Sequence, residues 1–313
     1  MADNLIVIAG PTATGKSALA RKLALDIQRR CGIGSEIVNA DSIQLYSELK
    51  TLSAYPSPNE QEQVPHHLYG ILEPNEKSSV ATWLDLAEQK ILQLQGEEKI
   101  PIVCGGTGLY VRALLEGIAQ IPPIPASFRQ EVAARFQDLG REEFFDLLQT
   151  IDPESCKTLH KNNTQRILRA YEVAAYTGTP ISEWWKKNVG ARSTIPLILL
   201  PPRAELYKRC LLRVNTMLQT GAVSEVNSFL SRYQNYRGPL TSAIGYNEIL
   251  SFLRGNISLS ECCRLMFLNT KHYAKRQYTW FRHQVKFQTT IREFGDTITS
   301  CTGLPSEIEK IFE

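Results

Sequence analysis

Four short apolar runs stand out along the chain, at residues 5–9, 36–42, 100–104 and 195–200. Their length and nearly continuous hydrophobicity are typical of strands that are buried on both faces of a parallel sheet. Apolar residues at helical spacing predict helices at 17–23, 82–95, 205–220, 223–233 and 260–283. A further helix is predicted to follow the glycine-rich residues 105–110 and to end at about residue 115. Because strands alternate with helices, the pattern predicts an α/β fold built on a parallel sheet flanked by helices.

Residues 118–192 break this alternation. A proline-rich start is followed by helical patterns at 127–139, 142–150 and 164–177, and no strand-like run appears before residue 195. A block of helices between two strands of one sheet predicts an inserted all-helical subdomain. We therefore expect a core domain at 1–117 and 193–313, and a helical insertion at 118–192.

A glycine-rich loop joins the first strand to the first helix and fits the pattern G-x-x-x-x-G-K-[ST]. A strand, this loop and a helix together make a P-loop, whose backbone N–H groups surround a phosphate or diphosphate. Lys16 would contact the terminal phosphate oxygens and the Ser17 hydroxyl would bind Mg²⁺. The predicted diphosphate-binding residues of the loop are Gly10, Pro11, Thr12, Ala13, Thr14, Gly15, Lys16 and Ser17. This makes the core a P-loop domain.

Two further polar signals follow predicted strands. Asp41 comes after the second apolar run, and Thr107 follows a pair of glycines after the third. Because ligands of parallel sheets bind beyond the carboxyl ends of the strands, we expect Asp41, Thr107 and the P-loop to share one crevice. Asp41 would either bind Mg²⁺ or act as a general base, and the structural alternative is a helix cap.

Composition bounds the class of protein. The 313 residues are 43% hydrophobic and 21% charged, and no apolar run is long enough to cross a membrane. The N-terminus has no basic segment followed by an apolar stretch, so we expect no secretory signal. Seven cysteines without a C-x-x-C motif are typical of a reduced, cytoplasmic protein.

Charge is unevenly distributed and points to a polyanionic partner. Residues 1–150 carry 13 Lys and Arg against 19 Asp and Glu, whereas residues 151–313 carry 22 against 13. Within the second half, Lys271, Lys275 and Arg282 share one face of a predicted helix. Tyr273, Gln277 and Trp280 lie on another face. Basic groups interleaved with aromatic ones favour nucleic-acid binding, although the aromatic residues alone also fit a helix packed on a core.

Taken in order, these motifs resemble the tRNA dimethylallyltransferase family, also called tRNA delta-2-isopentenylpyrophosphate transferases. The resemblance runs nearly end to end and includes Tyr273-Ala274-Lys275-Arg276-Gln277. The matching positions are 10–17, 41–42, 44–46, 64–67, 105–110, 113–117, 152–153, 160, 162, 165–170, 206–209, 213–214, 243–249, 273–277 and 279–282. One departure is Tyr55, which stands where the family usually has a lysine.

The resemblance implies transfer of a dimethylallyl group from dimethylallyl diphosphate to N6 of adenosine 37 in tRNA, with release of diphosphate. It implies catalytic roles for Asp41, Thr107, Lys16 and Arg213, with Arg213 on the diphosphate, Ser17 on Mg²⁺ and Asp41 as the base. It places the helical insertion on the anticodon stem-loop. The implied tRNA-binding residues are Asp41, Ser42, Ile43, Gln44, Thr107, Arg129, Gln165, Arg166, Ile167, Leu168, Arg169, Ser242, Ala243, Ile244, Gly245, Tyr246, Asn247, Lys275, Arg276, Gln277, Tyr278, Thr279, Trp280, Phe281 and Arg282. We expect a cytoplasmic monomer.

Three other functions share part of the pattern. A P-loop kinase of small molecules explains the loop but not the basic second half. An adenylate dimethylallyltransferase that makes free cytokinin shares the P-loop and the Asp, but needs neither the helical insertion nor the basic strip at 275–282. A non-catalytic RNA-binding module leaves the glycine-rich loop unexplained.

Overall fold

The computed structural model describes residues 5–187, 194–287, 289–298, 308 and 311. In this part of the chain six parallel strands form one sheet in the order β3-β2-β4-β1-β5-β6. The strands are β1 (Ile6–Ala9), β2 (Ser35–Asn39), β3 (His66–His67), β4 (Ile100–Gly105), β5 (Ile195–Leu199) and β6 (Thr289–Ile291). The α/β class and the parallel sheet are thus confirmed.

The chain divides into two compact units, one of residues 1–115 with 193–313 and one of residues 116–192. The first contains the sheet, and its helices are α1 (Lys16–Cys31), α2 (Lys50–Ser53), α3 (Pro58–Gln63), α4 (Val80–Gly96) and α5 (Gly108–Glu116), which ends one residue past the division. The second boundary that the sequence predicts, at 192/193, lies outside the described residues.

The described residues of the second unit contain helices and none of the named strands, and the predicted insertion of helices is confirmed. It contains α6 (Ala126–Ile151), α7 (Pro153–Thr158), α8 (Thr164–Thr177) and α9 (Ile181–Trp184). Gly140 breaks α6 with a φ of 73°, which separates the two helices that the sequence predicts at 127–139 and 142–150. Phe144, Leu148 and Ile167 are fully buried in a core of its own.

After β5 the sheet unit is again helical. Its helices are α10 (Arg203–Gln219), α11 (Ala222–Arg232), α12 (Tyr246–Leu253) and α13 (Leu259–Gln284), with a short 3-10 turn at Pro239–Ser242. None of the helices in the described residues is long and apolar enough to span a membrane.

Consecutive side chains of a strand point to opposite faces of the sheet, and in β1 both sets are buried. Ile6 and Ile8 of β1 belong to one core cluster, which also contains Leu23 of α1. Val7 lies between them, is equally buried, and must point to the opposite face because strand side chains alternate. The four long apolar runs therefore form interior or near-interior strands, as their hydrophobicity predicts.

The strands β3 and β6 were not predicted from the sequence, and β2 is shorter than predicted. The strands β3 and β6 have two and three residues and lie at the two edges of the sheet, where hydrophobic patterning is weakest. The second apolar run was predicted to be strand as far as residue 42, but β2 ends at Asn39. The turn that follows it forms part of the candidate site.

Candidate active site

The P-loop lies at the carboxyl end of β1 and turns directly into α1. Gly15 has a left-handed φ of 81° immediately before the helix begins, a conformation that glycine adopts without strain. The buried Thr14 hydroxyl donates to the Pro11 carbonyl at 2.9 Å and closes the loop on itself. The first turn of α1 is thereby aimed into the crevice, where its unpaired amides favour an anion.

Lys16 is held inside the loop. Its ammonium donates to the Pro11 carbonyl at 2.8 Å. Loss of hydration in the crevice lowers the pKa of Lys16 to about 8, with Asp41 opposing the shift and Arg213 adding to it. A desolvated ammonium with a lowered pKa has few competing partners, so a diphosphate gains strongly by pairing with it.

Arg213 contributes a second cation to the same crevice. It belongs to α10, which follows β5 in the second sequence segment of the sheet unit. Burial lowers the pKa of Arg213, and the negative charge of Asp41 opposes that shift. The structure therefore brings together Lys16, Arg213 and Asp41, three residues that the sequence separates by up to 197 positions. Two desolvated cations beside one carboxylate leave the crevice with a net positive charge, which suits an anion.

Asp41 is positioned by its neighbour Asn39. The Asn39 side chain is completely buried and accepts from the Asp41 backbone N–H at 2.8 Å. Its amide group donates to the carbonyls of Asp41 and Leu68, at 2.9 and 3.0 Å. One carboxylate oxygen of Asp41 accepts from the Ile43 N–H at 3.0 Å, and the side chain is half-buried. Asn39 thus ends β2 and fixes the backbone that carries the carboxylate.

Thr107 approaches Asp41 because two backbone segments touch. Gly105 lies directly against Ala40, so closely that any Cβ on Gly105 would overlap the Ala40 backbone. The Thr107 N–H donates to the Ala40 carbonyl at 3.1 Å. The Thr107 hydroxyl accepts from the Ser42 N–H at 2.9 Å and donates to the Ser42 hydroxyl at 3.3 Å. Asp41, Ser42 and Thr107 therefore form one connected edge of the crevice.

Tyr273 of α13 completes the crevice and was not among the predicted site residues. Burial and the charge of Asp41 raise the pKa of Tyr273 above its ordinary value, so its hydroxyl stays neutral. The sequence predicts Tyr273 and Trp280 either as core residues or as part of an aromatic face. Both are half-buried, and the Trp280 ring lies so close to Gly108 that an added Cβ there would come within 2.4 Å of a ring carbon.

The predicted tRNA-binding strip on α13 divides into two faces. Lys275, Arg276, Thr279 and Arg282 are exposed. Tyr278 and Phe281 are buried, and Gln277 is only 7% exposed. The exposed basic residues remain candidates for RNA contacts, whereas the buried three act in this structure through packing or internal hydrogen bonds.

The predicted segment at 242–247 shows the same division. Ser242 and Asn247 are exposed, and the Asn247 amide donates to the Thr241 carbonyl at 2.9 Å. Ile244 is half-buried, while Ala243, Gly245 and Tyr246 are buried.

The loop after β2 is polar and partly accessible. Ser42, Ile43 and Gln44 are half-buried. The Gln44 amide donates to the carbonyls of Ser53 and Ala54 at 3.1 and 2.9 Å, so it braces this loop internally.

The remaining predicted RNA contacts belong to the helical unit. Arg129, Gln165 and Arg166 are exposed there, and Leu168 and Arg169 are half-buried. Ile167 is fully buried in the core of that unit, so its side chain supports α8 rather than reaching a ligand. Arg169 pairs with Glu172 at 3.4 Å.

Two oxygen-bearing side chains at the crevice, those of Ser17 and Asp41, are of the kind that could hold a magnesium ion. Ser17 is an exposed residue in the first turn of α1, and the Asp41 carboxylate lies close enough to Lys16 to act on its charge. Among the described residues no cluster of three or more His, Cys, Asp or Glu could hold a metal ion by itself. A Mg²⁺ ion at this place would therefore also need oxygens from a bound ligand and from water, as it commonly does in proteins.

Comparison with known proteins agrees with this geometry. The profile of the IPP transferase family matches residues 44–284, and that of isopentenyl transferases matches residues 3–69. A tRNA dimethylallyltransferase from Caulobacter sp. (strain K31) is 41% identical over 283 residues, which is 90% of both chains. One from Rhodospirillum centenum (strain ATCC 51521 / SW) is 42% identical over 287 residues, 90% of this chain and 89% of that one.

Solved structures show the same fold. The full-length tRNA isopentenylpyrophosphate transferase of Bacillus halodurans is 30% identical with a TM-score of 0.66, over 99% of this chain and 98% of that one. A eukaryotic dimethylallyltransferase crystallised while acting on tRNA shares the fold at 24% identity, with a TM-score of 0.80 over 97% and 77% of the two chains. The chain belongs to the IPP transferase family and is a prenyl transferase that acts on tRNA.

Proposed function

We propose that this enzyme transfers the dimethylallyl group of dimethylallyl diphosphate to N6 of adenosine 37, in the anticodon stem-loop of tRNA. The observation that carries the proposal is the meeting of Lys16, Arg213 and Asp41 at the P-loop. Two cations suit the leaving diphosphate, and one carboxylate suits the attacking amine.

The donor side of the reaction rests on the P-loop. An allylic diphosphate breaks its C1–O bond readily once the departing diphosphate is stabilised. Lys16 and Arg213 would neutralise that diphosphate as it gains charge, and the loop amides would hold its oxygens. Bound Mg²⁺, held by the Ser17 hydroxyl and the diphosphate, would supply further neutralisation of the leaving group.

The acceptor side rests on Asp41. As the N6 lone pair forms the new bond to C1, the C1–O bond breaks and diphosphate leaves with the bonding electrons. The Asp41 carboxylate would accept the proton that N6 loses, and Asn39 keeps that carboxylate in place through the backbone. Thr107 would orient the entering base from the adjacent edge of the crevice, since its hydroxyl lies beside Ser42.

The entering adenine must leave its stack to reach such a crevice. The exposed Lys275, Arg276 and Arg282 suit the phosphates of the RNA, which fix its register without reading its sequence. We further propose that the enzyme works as a monomer and in the cytoplasm, where tRNA is decoded.

Each of the rival functions explains only part of the chain. A small-molecule kinase explains the P-loop but not the match of residues 44–284 to the IPP transferase family. A free-nucleotide prenyltransferase explains the P-loop and Asp41, but not the match of residues 44–284 to the tRNA-acting family.

The test is reconstitution with purified protein, dimethylallyl diphosphate, Mg²⁺ and unmodified tRNA, followed by nucleoside analysis of digested tRNA. The proposal predicts N6-dimethylallyladenosine at position 37 without added ATP, and no product on a transcript in which guanosine replaces adenosine 37. Equal transfer to free AMP, or a requirement for ATP hydrolysis, would contradict it.

A further inference from the structure

One polar side chain in the basic segment of α13 is turned inward while its neighbours are exposed. Gln277 is 7% exposed, although Lys275 and Arg276, two and one residues before it, lie in solvent. Burying a side-chain amide is unfavourable unless its donors and acceptor are paired. The partners of Gln277 therefore show why it is buried.

Gln277 joins two loops that are distant in sequence. Its carbonyl oxygen accepts from the Thr12 N–H of the P-loop at 2.8 Å. Its amide group donates to the Gly106 carbonyl at 2.8 Å. The first loop holds the candidate diphosphate site, and the second leads directly to Thr107.

The contact depends on a residue without a side chain at position 106. A Cβ added to Gly106 would lie 2.6 Å from the amide nitrogen of Gln277, which is closer than such atoms approach. The glycine pair before Thr107 thus serves the approach of α13 as well as the turn. The Thr12 N–H is already occupied, so the anion-binding amides of the loop are those nearer α1.

We infer that Gln277 is a positioning residue that fixes the P-loop against the Gly106–Thr107 turn, and that it does not contact tRNA. It holds the diphosphate-binding loop in its binding conformation before the donor arrives, which spares the donor the free energy of ordering that loop. This inference rests on the proposed function only for the identity of the donor.

Glutamine is the residue that this geometry requires. One end of its amide must accept from an N–H and the other must donate to a C=O. Glutamate has nearly the same shape but cannot donate when ionised, and it would place a second acceptor against the Gly106 carbonyl. Methionine fills a similar volume without either hydrogen bond.

The experiment compares Gln277→Glu and Gln277→Met with Lys275→Met, which carries the matched change at an exposed position of the same helix. Pyrophosphate with MgCl₂ is titrated by calorimetry without tRNA, and tRNA affinity is measured separately without donor. Steady-state transfer then gives kcat and the KM for each substrate, and thermal unfolding reports on folding.

For both Gln277 variants we expect the Kd of pyrophosphate and the KM of the donor to rise at least about tenfold, the effect of losing one or two buried hydrogen bonds. Their tRNA affinity should stay within about twofold of the wild type. Lys275→Met should show the reverse, with weakened tRNA binding and unchanged pyrophosphate affinity.

Pyrophosphate affinity within about twofold of wild type in both Gln277 variants would overturn the inference, whether or not their unfolding temperature falls. Loss of tRNA affinity with intact pyrophosphate binding would also overturn it, by placing Gln277 at the RNA interface. If the wild type fails to modify tRNA but its pyrophosphate binding still depends on Gln277, the proposed function fails and this inference stands.

Discussion

The two faces of α13 differ in how far the charged groups beside them are exposed to water. On one face, Tyr273 looks into a crevice where Lys16 and Arg213 have lost hydration and feel the charge of Asp41. On the other, Lys275 and Arg282 are exposed to solvent. The same helix therefore borders a crevice in which charges are desolvated and interact strongly, and a surface on which charges are hydrated and interact weakly.

The difference in environment predicts a difference in energy. Interactions between charges strengthen as water is excluded, so each group in the crevice should affect the reaction strongly and depend little on salt. Exposed charges are screened, and each should contribute a small, salt-dependent part of tRNA affinity. Substitutions in the crevice should therefore have larger effects than substitutions on the exposed face of α13.

The largest effect is expected for Asp41→Asn, which keeps the shape of the side chain but removes the base. Turnover should fall at least about a hundredfold, the usual contribution of a general base, while tRNA affinity is retained. Single-turnover transfer together with tRNA titration checks this. Asn39→Ala is the companion variant, because it leaves the Asp41 carboxylate but removes the hydrogen bonds that hold its backbone. If Asp41→Asn turned over at close to the wild-type rate, the Asp41 carboxylate would be structural and the base would lie elsewhere.

A smaller effect is expected from pH. Burial lowers the pKa of Lys16 to about 8 in the free enzyme, so its ammonium is intact at pH 7 and progressively lost above pH 8. A bound diphosphate favours the charged form, so pyrophosphate affinity should fall about tenfold from pH 7 to pH 9. Calorimetry at both pH values measures this, with proton uptake expected near pH 8.5.

Lys16→Ala is the control for the pH dependence. It should bind pyrophosphate more weakly at every pH, and its profile should retain only the titration of pyrophosphate itself, which both proteins share. Parallel profiles for the two proteins would remove Lys16 from the diphosphate site.

The smallest effects belong to the exposed face. Lys275→Ala and Arg282→Ala should each weaken tRNA binding a few-fold and reduce the slope of log affinity against log salt by about one unit. Pyrophosphate affinity should not change. Filter binding across a salt series checks this, and an unaltered slope would assign the two side chains to intramolecular contacts.

Sequence patterning predicted much of this molecule because its strong signals are local. The long apolar runs became strands, and the strand, glycine-rich loop and helix at residues 5–31 formed as their spacing indicates. The edge strand at His66–His67 was invisible because two half-buried polar residues carry no hydrophobic pattern.

The site was harder to predict where function depends on contacts between distant segments. Asp41 and Thr107 were found because each follows a strand. The role of Gln277 depends on hydrogen bonds to residues 171 and 265 positions away, which no local pattern encodes. Asn39 did leave a signal, since a fully buried polar residue at the end of an apolar strand needs partners.

The most direct test of the account measures two variants against two ligands. Lys16→Ala and Lys275→Ala are each titrated with pyrophosphate in MgCl₂ and, separately, with tRNA at fixed salt. We predict that Lys16→Ala loses pyrophosphate affinity by at least about tenfold and keeps its tRNA affinity. Lys275→Ala should lose tRNA affinity a few-fold and keep its pyrophosphate affinity. Loss of both affinities by the same factor in either variant would contradict the division between a diphosphate crevice and an RNA-binding face.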